Sequence, residues 1–361
     1  MKVLMVITGM RSGGAERVMA TLCNELSQKH DVRLLCMKEN ETDYLLDDKV
    51  KFLGANVKNK SFLKSVNFVK KNIKTWNPDV ILSFMTKSNL IALVAKKISK
   101  KNVPVIIAER TNPFIASFKR IRKIIYPWAS GAVFQTKQAQ QYYKNIIKCE
   151  SVVLRNPLNP DFAIEPFKGK REKRIVSVGR LSDEKNQKLI ISSFSKIADR
   201  YPEYKVEIYG EGPLKKELQA QIDEFGLSSQ IVLMGRKDNI QEHIRTAEIF
   251  VLPSNSEGMP NALLEAMALG CACIATDCPI GGSAFIIKNE KNGILIPMND
   301  ENKMTTELER LMTDCSFAQQ LGEKAKKVIQ DFSSEKVCSE WEAFICKIAL
   351  YKGKRTENGN S

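Results

Sequence analysis

Two carboxylates, Glu257 and Glu265, stand eight positions apart in residues 254–270, the run SNSEGMPNALLEAMALG. Glu257 falls in a Gly/Pro loop and Glu265 falls one turn into an apolar helix pattern. The apolar run 249–252 just before them reads as a buried strand, so the order is strand, loop, helix. Free backbone N–H groups and the positive end of a helix attract phosphate. Gly258, Met259 and Asn261 are the available donors, because Pro260 has no N–H. Carboxylates beside such a loop accept hydrogen bonds from hydroxyl groups. A site suited to phosphate and polyol together points to a sugar nucleotide.

A second pair of residues adds cationic chemistry. Arg180 and Lys185 lie just after an expected strand at 174–178. Two cations there would stabilise the charge that grows on a departing pyrophosphate, without a metal. Read alone, either side chain is an ordinary solvated surface group.

These residues belong to ordered motifs: SGGAERV at 12–18, SVGRLSDEKN at 177–186, YGEGP at 209–213, LMGR at 233–236, and the Glu257/Glu265 pair. Together they resemble the family 4 retaining glycosyltransferases of the GT-B fold. The likeness is to bacterial enzymes of lipid-linked oligosaccharide, capsule or O-antigen assembly. It implies that Arg180 and Lys185 hold the donor diphosphate and that Glu265 accepts the ribose hydroxyls. It places Glu257 near the reacting carbon of the donor sugar. It also brings Gly13, Gly14, Gly235 and Arg236 to the donor nucleotide, with the amides of Gly258, Met259 and Asn261. Arg110 stands where many members of the family carry a histidine against the donor sugar, and that departure leaves sugar selection open. The catalytic set implied is Glu257, Arg180, Lys185 and Arg110. No metal or other cofactor is expected, since no pair of acids is arranged to hold a divalent ion.

The elements that must position these groups follow an α/β pattern. Buried strands are expected at 3–8, 32–36, 80–84, 105–108, 132–135 and 152–154. A second series is expected at 174–178, 205–209, 231–233, 249–252, 273–275 and 294–296. Helical patterns lie between several of them, including 187–200, 214–225, 261–269 and 301–313. Alternation of this kind indicates parallel sheets covered by helices. The Pro-rich segment 155–173 reads as a linker. The resulting division is an N-terminal Rossmann-like acceptor domain at 1–165 and a C-terminal nucleotide-sugar domain at 166–334. The resemblance adds a helix at 335–350 that returns to the first domain, and a cleft between two doubly wound sheets. A polar tail at 351–361 reads as disordered.

Charge separates the two halves. Residues 1–165 hold 28 Lys and Arg against 13 Asp and Glu, and residues 166–361 hold 28 against 28, so the whole net charge of +15 lies in the first half. Such asymmetry fits an anionic partner on one side of the molecule. Lys119, Arg120, Arg122 and Lys123 are interleaved with apolar residues at helical spacing, and the stretch 58–76 repeats the pattern. Both read as basic amphipathic helices that dock on an anionic membrane surface. An ordinary helix with a solvated basic face is the structural alternative.

No leader and no apolar run of about 18 residues is legible. Nine scattered cysteines suit a reducing cytosol. Cys271, Cys273 and Cys278 fit no standard zinc spacing and read as core residues. With only two histidines, His30 and His243, a histidine-based triad is not expected.

The expected protein is a cytoplasmic enzyme, peripheral at the inner face of the cell membrane. It would move a hexose or N-acetylhexosamine from a sugar nucleotide, UDP-linked, to a growing glycan on a polyprenyl pyrophosphate. Another GT-B sugar-nucleotide enzyme, an epimerase or inverting transferase, is the enzymatic alternative. A nucleic-acid-binding protein would explain the charge but lacks a recognised motif, so no nucleic-acid partner is expected.

Overall fold

A computed structural model describes residues 1–11, 13–55, 61–165 and 167–357, with side chains as far as residue 350. The chain divides into two compact units. Unit 1 is Met1–Pro157 with Ser334–Ser361, and unit 2 is Leu158–Ser333. The division falls after Pro157 rather than after residue 165, because Leu158 already donates to the carbonyl of Phe332 (2.8 Å) in unit 2.

Unit 1 runs β1 (Lys2–Ile7), α1 (Gly14–Ser27), β2 (Asp31–Cys36), β3 (Lys51–Gly54), α2 (Phe62–Trp76), β4 (Val80–Phe84), α3 (Thr86–Ser99), β5 (Val105–Glu109), α4 (Lys119–Ile125), β6 (Gly131–Phe134), α5 (Lys137–Tyr143) and β7 (Glu150–Val153). All seven strands are parallel, in the order β3-β2-β1-β4-β5-β6-β7. Central strands such as VLMVI at 3–7 are buried on both faces. That is why they read as unbroken apolar runs rather than alternating ones.

Unit 2 runs β8 (Glu172–Val178), α6 (Lys188–Ser195), β9 (Lys205–Tyr209), α7 (Lys215–Glu224), β10 (Ile231–Gly235), α8 (Ile240–Arg245), β11 (Ala247–Leu252), α9 (Asn261–Ala268), β12 (Ala272–Thr276), α10 (Gly282–Ile286), β13 (Ile294–Ile296), α11 (Glu301–Thr313), α12 (Cys315–Ala325) and α13 (Val328–Asp331). Its six parallel strands are ordered β10-β9-β8-β11-β12-β13. The pattern at 187–200 is a shorter helix, α6, followed by a single 3-10 turn at Ala198–Arg200. Cys271, Cys273 and Cys278 are all buried.

The last helix, α14 (Ser334–Glu357), belongs to unit 1. Val337, Trp341, Phe344, Ile345 and Ile348 join the unit 1 core. Trp341 packs on Phe84 (centroids 5.4 Å apart) and donates Nε1–H to the carbonyl of Arg155 (3.1 Å). Arg155 pairs with Glu340, and Glu342 takes Lys29 (2.9 Å) and His30 (3.1 Å). The helix runs on through residue 357, so the segment after 350 is helical where a disordered tail was expected; residues 358–361 lie outside the described residues.

Each sheet has one switch point, where strands leave in opposite directions. It is β1/β4 in unit 1 and β8/β11 in unit 2. In open α/β sheets, ligands bind at the carboxyl ends of strands beside such a point.

Candidate functional site

In unit 2 the switch point sets two loops side by side. One follows β8 and carries Arg180 and Lys185. The other follows β11 and carries Glu257. Strands β8 and β11 are direct neighbours, with Ile175 against Ile249 and Val176 against Phe250.

The β8 loop is fixed on one flank by backbone. The Gly179 amide donates to the Tyr209 carbonyl (3.0 Å), Leu181 to Glu211 (3.1 Å) and Gly210 to Gly235 (2.9 Å). The carboxyl ends of β8, β9 and β10 are therefore knitted together. The approach requires glycine at 210: its φ is +139°, and a Cβ there would stand 1.9 Å from the Gly179 oxygen. The YGEGP and LMGR motifs are thus a brace for the β8 loop. Gly235 takes φ +69° at the end of β10, and Arg236 is exposed beyond it.

On the other flank the β8 loop is tied to the β11 loop. The Asn255 amide donates to the Glu184 carbonyl (2.8 Å), and its side chain donates to the Asp183 carbonyl (3.0 Å). Asn186 donates to Asn255 (3.2 Å) and to Asn299 (2.9 Å). The product is a 2.5 Å ion pair between Lys185 Nζ and Glu257 Oε1. The buried Ser254 hydroxyl donates to the same carboxylate oxygen (2.7 Å), and Thr276 donates to the Ser254 carbonyl. Lysine has three donors and Glu257 takes one. Arg180 is exposed, and its carbonyl is held by Gln187 Nε2 (3.1 Å).

The β11 loop closes on α9, whose first residue is Asn261. Glu265 sits inside that helix and is buried, as is Met259. Gly258 presses its carbonyl on Gly282: a Cβ at 282 would stand 1.8 Å from that oxygen. Glu257 also exchanges backbone bonds with Pro279 and Ile280 (3.2 and 3.4 Å). The loop that presents Glu257 is thereby supported by the loop after β12. The charged partner of Glu257 is Lys185.

In unit 1 the loop after β1 leads into α1 through Gly13 and Gly14. Ser12, within the same motif, lies outside the described residues. Tyr44 clamps Gly13, taking its N–H and donating to its carbonyl (2.7 Å each), while Glu39 accepts from the Met10 amide (3.0 Å). The Glu16 carboxylate folds over Gly13, where a Cβ would meet it at 2.0 Å. Burial pushes the Glu16 carboxyl up, and the charges of Arg110 and Lys38 pull it back. Arg110 bonds Asn156 and lies over the Phe84 ring at 4.6 Å; burial lowers its guanidinium below the ordinary arginine value.

Two family models match this chain one after the other: "Glycosyltransferase Family 4" over residues 12–162 and "Glycosyl transferases group 1" over residues 161–328. The chain is a family 4 glycosyltransferase. Its fold is GT-B: S. aureus TarM superposes with a TM-score of 0.78 over 95% of this chain and 99% of TarM, at 14% identity. Anabaena HepE does so with a TM-score of 0.78 over 96% and 100%, at 15% identity. Among curated relatives, a Campylobacter jejuni α-1,4-N-acetyl-D-galactosaminyltransferase named for a GalNAc-GalNAc-diNAcBac-PP-undecaprenol acceptor is 28% identical, covering 96% of this chain and 99% of its own. A second C. jejuni protein, a diphospho-undecaprenol 4-α-N-acetylgalactosaminyltransferase, is 29% identical over 92% and 96%. The E. coli "UDP-Gal:alpha-D-GlcNAc-diphosphoundecaprenol alpha-1,3-galactosyltransferase" is 26% identical over 80% and 81%.

The glycosyltransferase departs from the sequence reading at one expected membrane contact. Arg122 is buried. It donates to the carbonyls of Pro113 (3.3 Å) and Ala116 (3.1 Å) and to the Tyr143 hydroxyl. It is an internal strut, while Lys119, Arg120 and Lys123 are exposed on the same helix. In the other basic stretch, Lys71 and Lys74 are exposed on α2; Lys58 and Lys60 lie outside the described residues. No helix among the described residues is long and apolar enough to cross a membrane.

Sequence reasoning missed Ser254, Asn255, Glu16 and Tyr44. Ser254 stands three positions before Glu257, and a buried serine there had no signal of its own. Glu16 was visible in the SGGAERV motif, one turn after the glycines it covers.

Proposed function

We propose that this glycosyltransferase moves a hexose or N-acetylhexosamine from a UDP-linked donor, with retention, to a growing glycan on a polyprenyl pyrophosphate. The observation that carries the reading is the Lys185–Glu257 pair at the β8/β11 switch point, where the loop bearing Lys185 also carries the exposed Arg180. It sets a cation and a carboxylate on one rigid platform, suited to a diphosphate and a sugar respectively. The undecaprenyl-diphosphate acceptors for which the C. jejuni and E. coli relatives are named support the acceptor class.

In this mechanism the bond from the anomeric carbon to the phosphate oxygen breaks. The acceptor oxygen bonds the same face of that carbon, and the departing phosphate takes the acceptor's proton. Arg180 and Lys185 stabilise the phosphate charge. Glu257 faces the sugar near the reacting carbon, and Glu265 holds the ribose. The amides of Gly258, Met259 and Asn261, with Gly235 and Arg236, complete the nucleotide contacts. By family resemblance, Gly13 and Gly14 are given to the donor nucleotide and Arg110 to the donor sugar. The chemistry needs no metal, because the cations and helix ends do its work. The enzyme acts at the cytoplasmic face of a membrane, where its acceptor is anchored.

Thermal stability measured with UDP-, GDP- and ADP-linked sugars tests the donor, since a bound ligand raises apparent stability. UDP-sugars should give the largest rise, and transfer to a polyprenyl-pyrophosphate glycan should continue in EDTA. A response to none of the sugar nucleotides overturns the reading. Activity lost in EDTA and restored by Mn²⁺ or Mg²⁺ overturns the metal-free clamp.

A further inference from the structure

We propose that residues 114–128 form an apolar ridge that inserts into the headgroup–acyl boundary of an anionic bilayer. The inference deepens the membrane part of the reading above, but its test needs no turnover. Sixteen large apolar residues are exposed among the described residues, and six of them fall in this short segment. They are Phe114 (54% exposed), Ile115 (62%), Phe118 (48%), Ile121 (43%), Ile124 (66%) and Trp128 (38%). Phe118, Ile121, Ile124 and Trp128 recur at three- and four-residue steps, one side of a helical turn. Contiguous exposed apolar surface of this kind marks an interaction site.

The ridge is held out by the structure behind it. Arg122 and Tyr126 point inward from the same segment and are buried. Arg122 grips the carbonyls of Pro113 and Ala116, which fixes the loop bearing Phe114 and Ile115. Tyr126 donates to the buried Glu109 carboxylate. Phe114 packs edge-on against Tyr142 at 5.0 Å.

Charge selects the partner. Lys119, Arg120 and Lys123 flank the ridge, and Lys97 sits 5.6 Å from the Trp128 ring. No Asp or Glu occurs between Glu109 and Glu150. A second copy meeting the ridge face to face would set these cations against each other. A polyanion alone would leave the isoleucines in water. An anionic bilayer satisfies both, with apolar side chains in the acyl boundary and cations at the headgroups. The helix α4 has seven residues, so it lies on the surface.

The test uses the whole protein and vesicles of phosphatidylcholine with phosphatidylglycerol, some bearing brominated acyl chains. Of the three tryptophans, Trp128 is the exposed reporter, while Trp76 is half-buried and Trp341 is fully buried. Brominated chains should quench the emission, and Trp128→Phe should remove the quenched component. Ile121→Ser/Ile124→Ser should weaken vesicle binding by roughly tenfold or more while leaving the thermal midpoint and transfer to a short soluble acceptor unchanged. Lys119→Gln/Arg120→Gln/Lys123→Gln should weaken binding and flatten its salt dependence. The proposal fails if the isoleucine variant binds as the parent does with no quenching, which would leave contact by charge alone. It also fails if that variant instead abolishes a concentration-dependent dimer seen by light scattering without vesicles. Either failure leaves the glycosyltransferase reading standing.

Discussion

Lys185 and Glu257 are 72 residues apart in sequence and 2.5 Å apart in space. The contact exists because β8 and β11 are neighbours at the switch point, so the loop leaving each one reaches the other. Asn255 and Asn186 then lock the two loops together. Glu257 is buried, with Lys185 and the Ser254 hydroxyl as its donors. The pair therefore has two roles. It presents a cation to the diphosphate, and it keeps a buried carboxylate satisfied.

Those two roles separate the cation variants. Arg180→Ala should slow transfer by roughly 10²-fold, as loss of an electrostatic stabiliser typically does. Its thermal midpoint should not move, because Arg180 is exposed. Lys185→Ala should show a similar rate loss and also a lower midpoint. Leaving a buried carboxylate short of a donor costs about 1–3 kcal/mol. Adding Glu257→Gln to Lys185→Ala should recover much of the stability and none of the activity. Parental rates in a folded Arg180→Ala/Lys185→Ala enzyme would remove both residues from the mechanism.

The two carboxylates should divide differently in steady-state kinetics. Glu265→Ala should mainly raise KM for the donor, since its proposed partner is the ribose. Glu257→Ala should mainly lower kcat, since its proposed partner is near the reacting carbon. The first loses uniform binding and the second loses stabilisation made in the transition state. The reverse pattern would exchange their roles.

Much of the frame is legible in the sequence itself, and the reason is physical. Strands such as Val80–Phe84 and Ile294–Ile296 are buried in parallel sheets, so each is an uninterrupted apolar run bounded by polar residues. The edge strand β3, Lys51–Gly54, is short and half-covered and carries no such mark. Helices α8, α10, α12 and α13 also escaped: α8, α10 and α13 are six, five and four residues long, and α12 carries as many polar as apolar residues. Site residues could be named from motif order, but their pairing could not, because strand order is not written along the chain. Arg122 shows the converse limit. Composition gives a charge without its direction, and here the guanidinium turns inward to carbonyls and a tyrosine.

The attachment of α14 to unit 1 should weaken in acid. Burial works against the Glu342 carboxylate, but its bonds to Lys29 and His30 outweigh that and hold its pKa below the usual glutamate value. A carboxylate with a depressed pKa adds stability above its unfolded value, near 4.5, and that stability disappears as pH falls through the folded value. Glu342→Gln should therefore lower the thermal midpoint at pH 7. The gap between variant and parent should narrow below about pH 4.5. A gap of constant size down to pH 3 would show that the carboxylate charge is not what ties α14 in place.

Gly282 tests whether the loop carrying Glu257 needs its backbone support. A Cβ at 282 would stand 1.8 Å from the Gly258 oxygen and 2.8 Å from its carbon. Neither atom belongs to a movable side chain, so Gly282→Ala must push the Gly258 peptide away from α10. Gly258 follows Glu257 directly and leads into α9. A displacement near 1 Å at a reacting centre can cost about 10²-fold, and the loss should fall on kcat/KM for the donor. Gly226→Ala is the matched control. Gly226 has φ +69° with nothing within 4 Å of its Cβ position, so alanine there meets strain without a clash. That variant should lose about 1 kcal/mol of stability and keep parental kinetics. If Gly282→Ala keeps them as well, the contact between Gly258 and Gly282 does not set the position of Glu257.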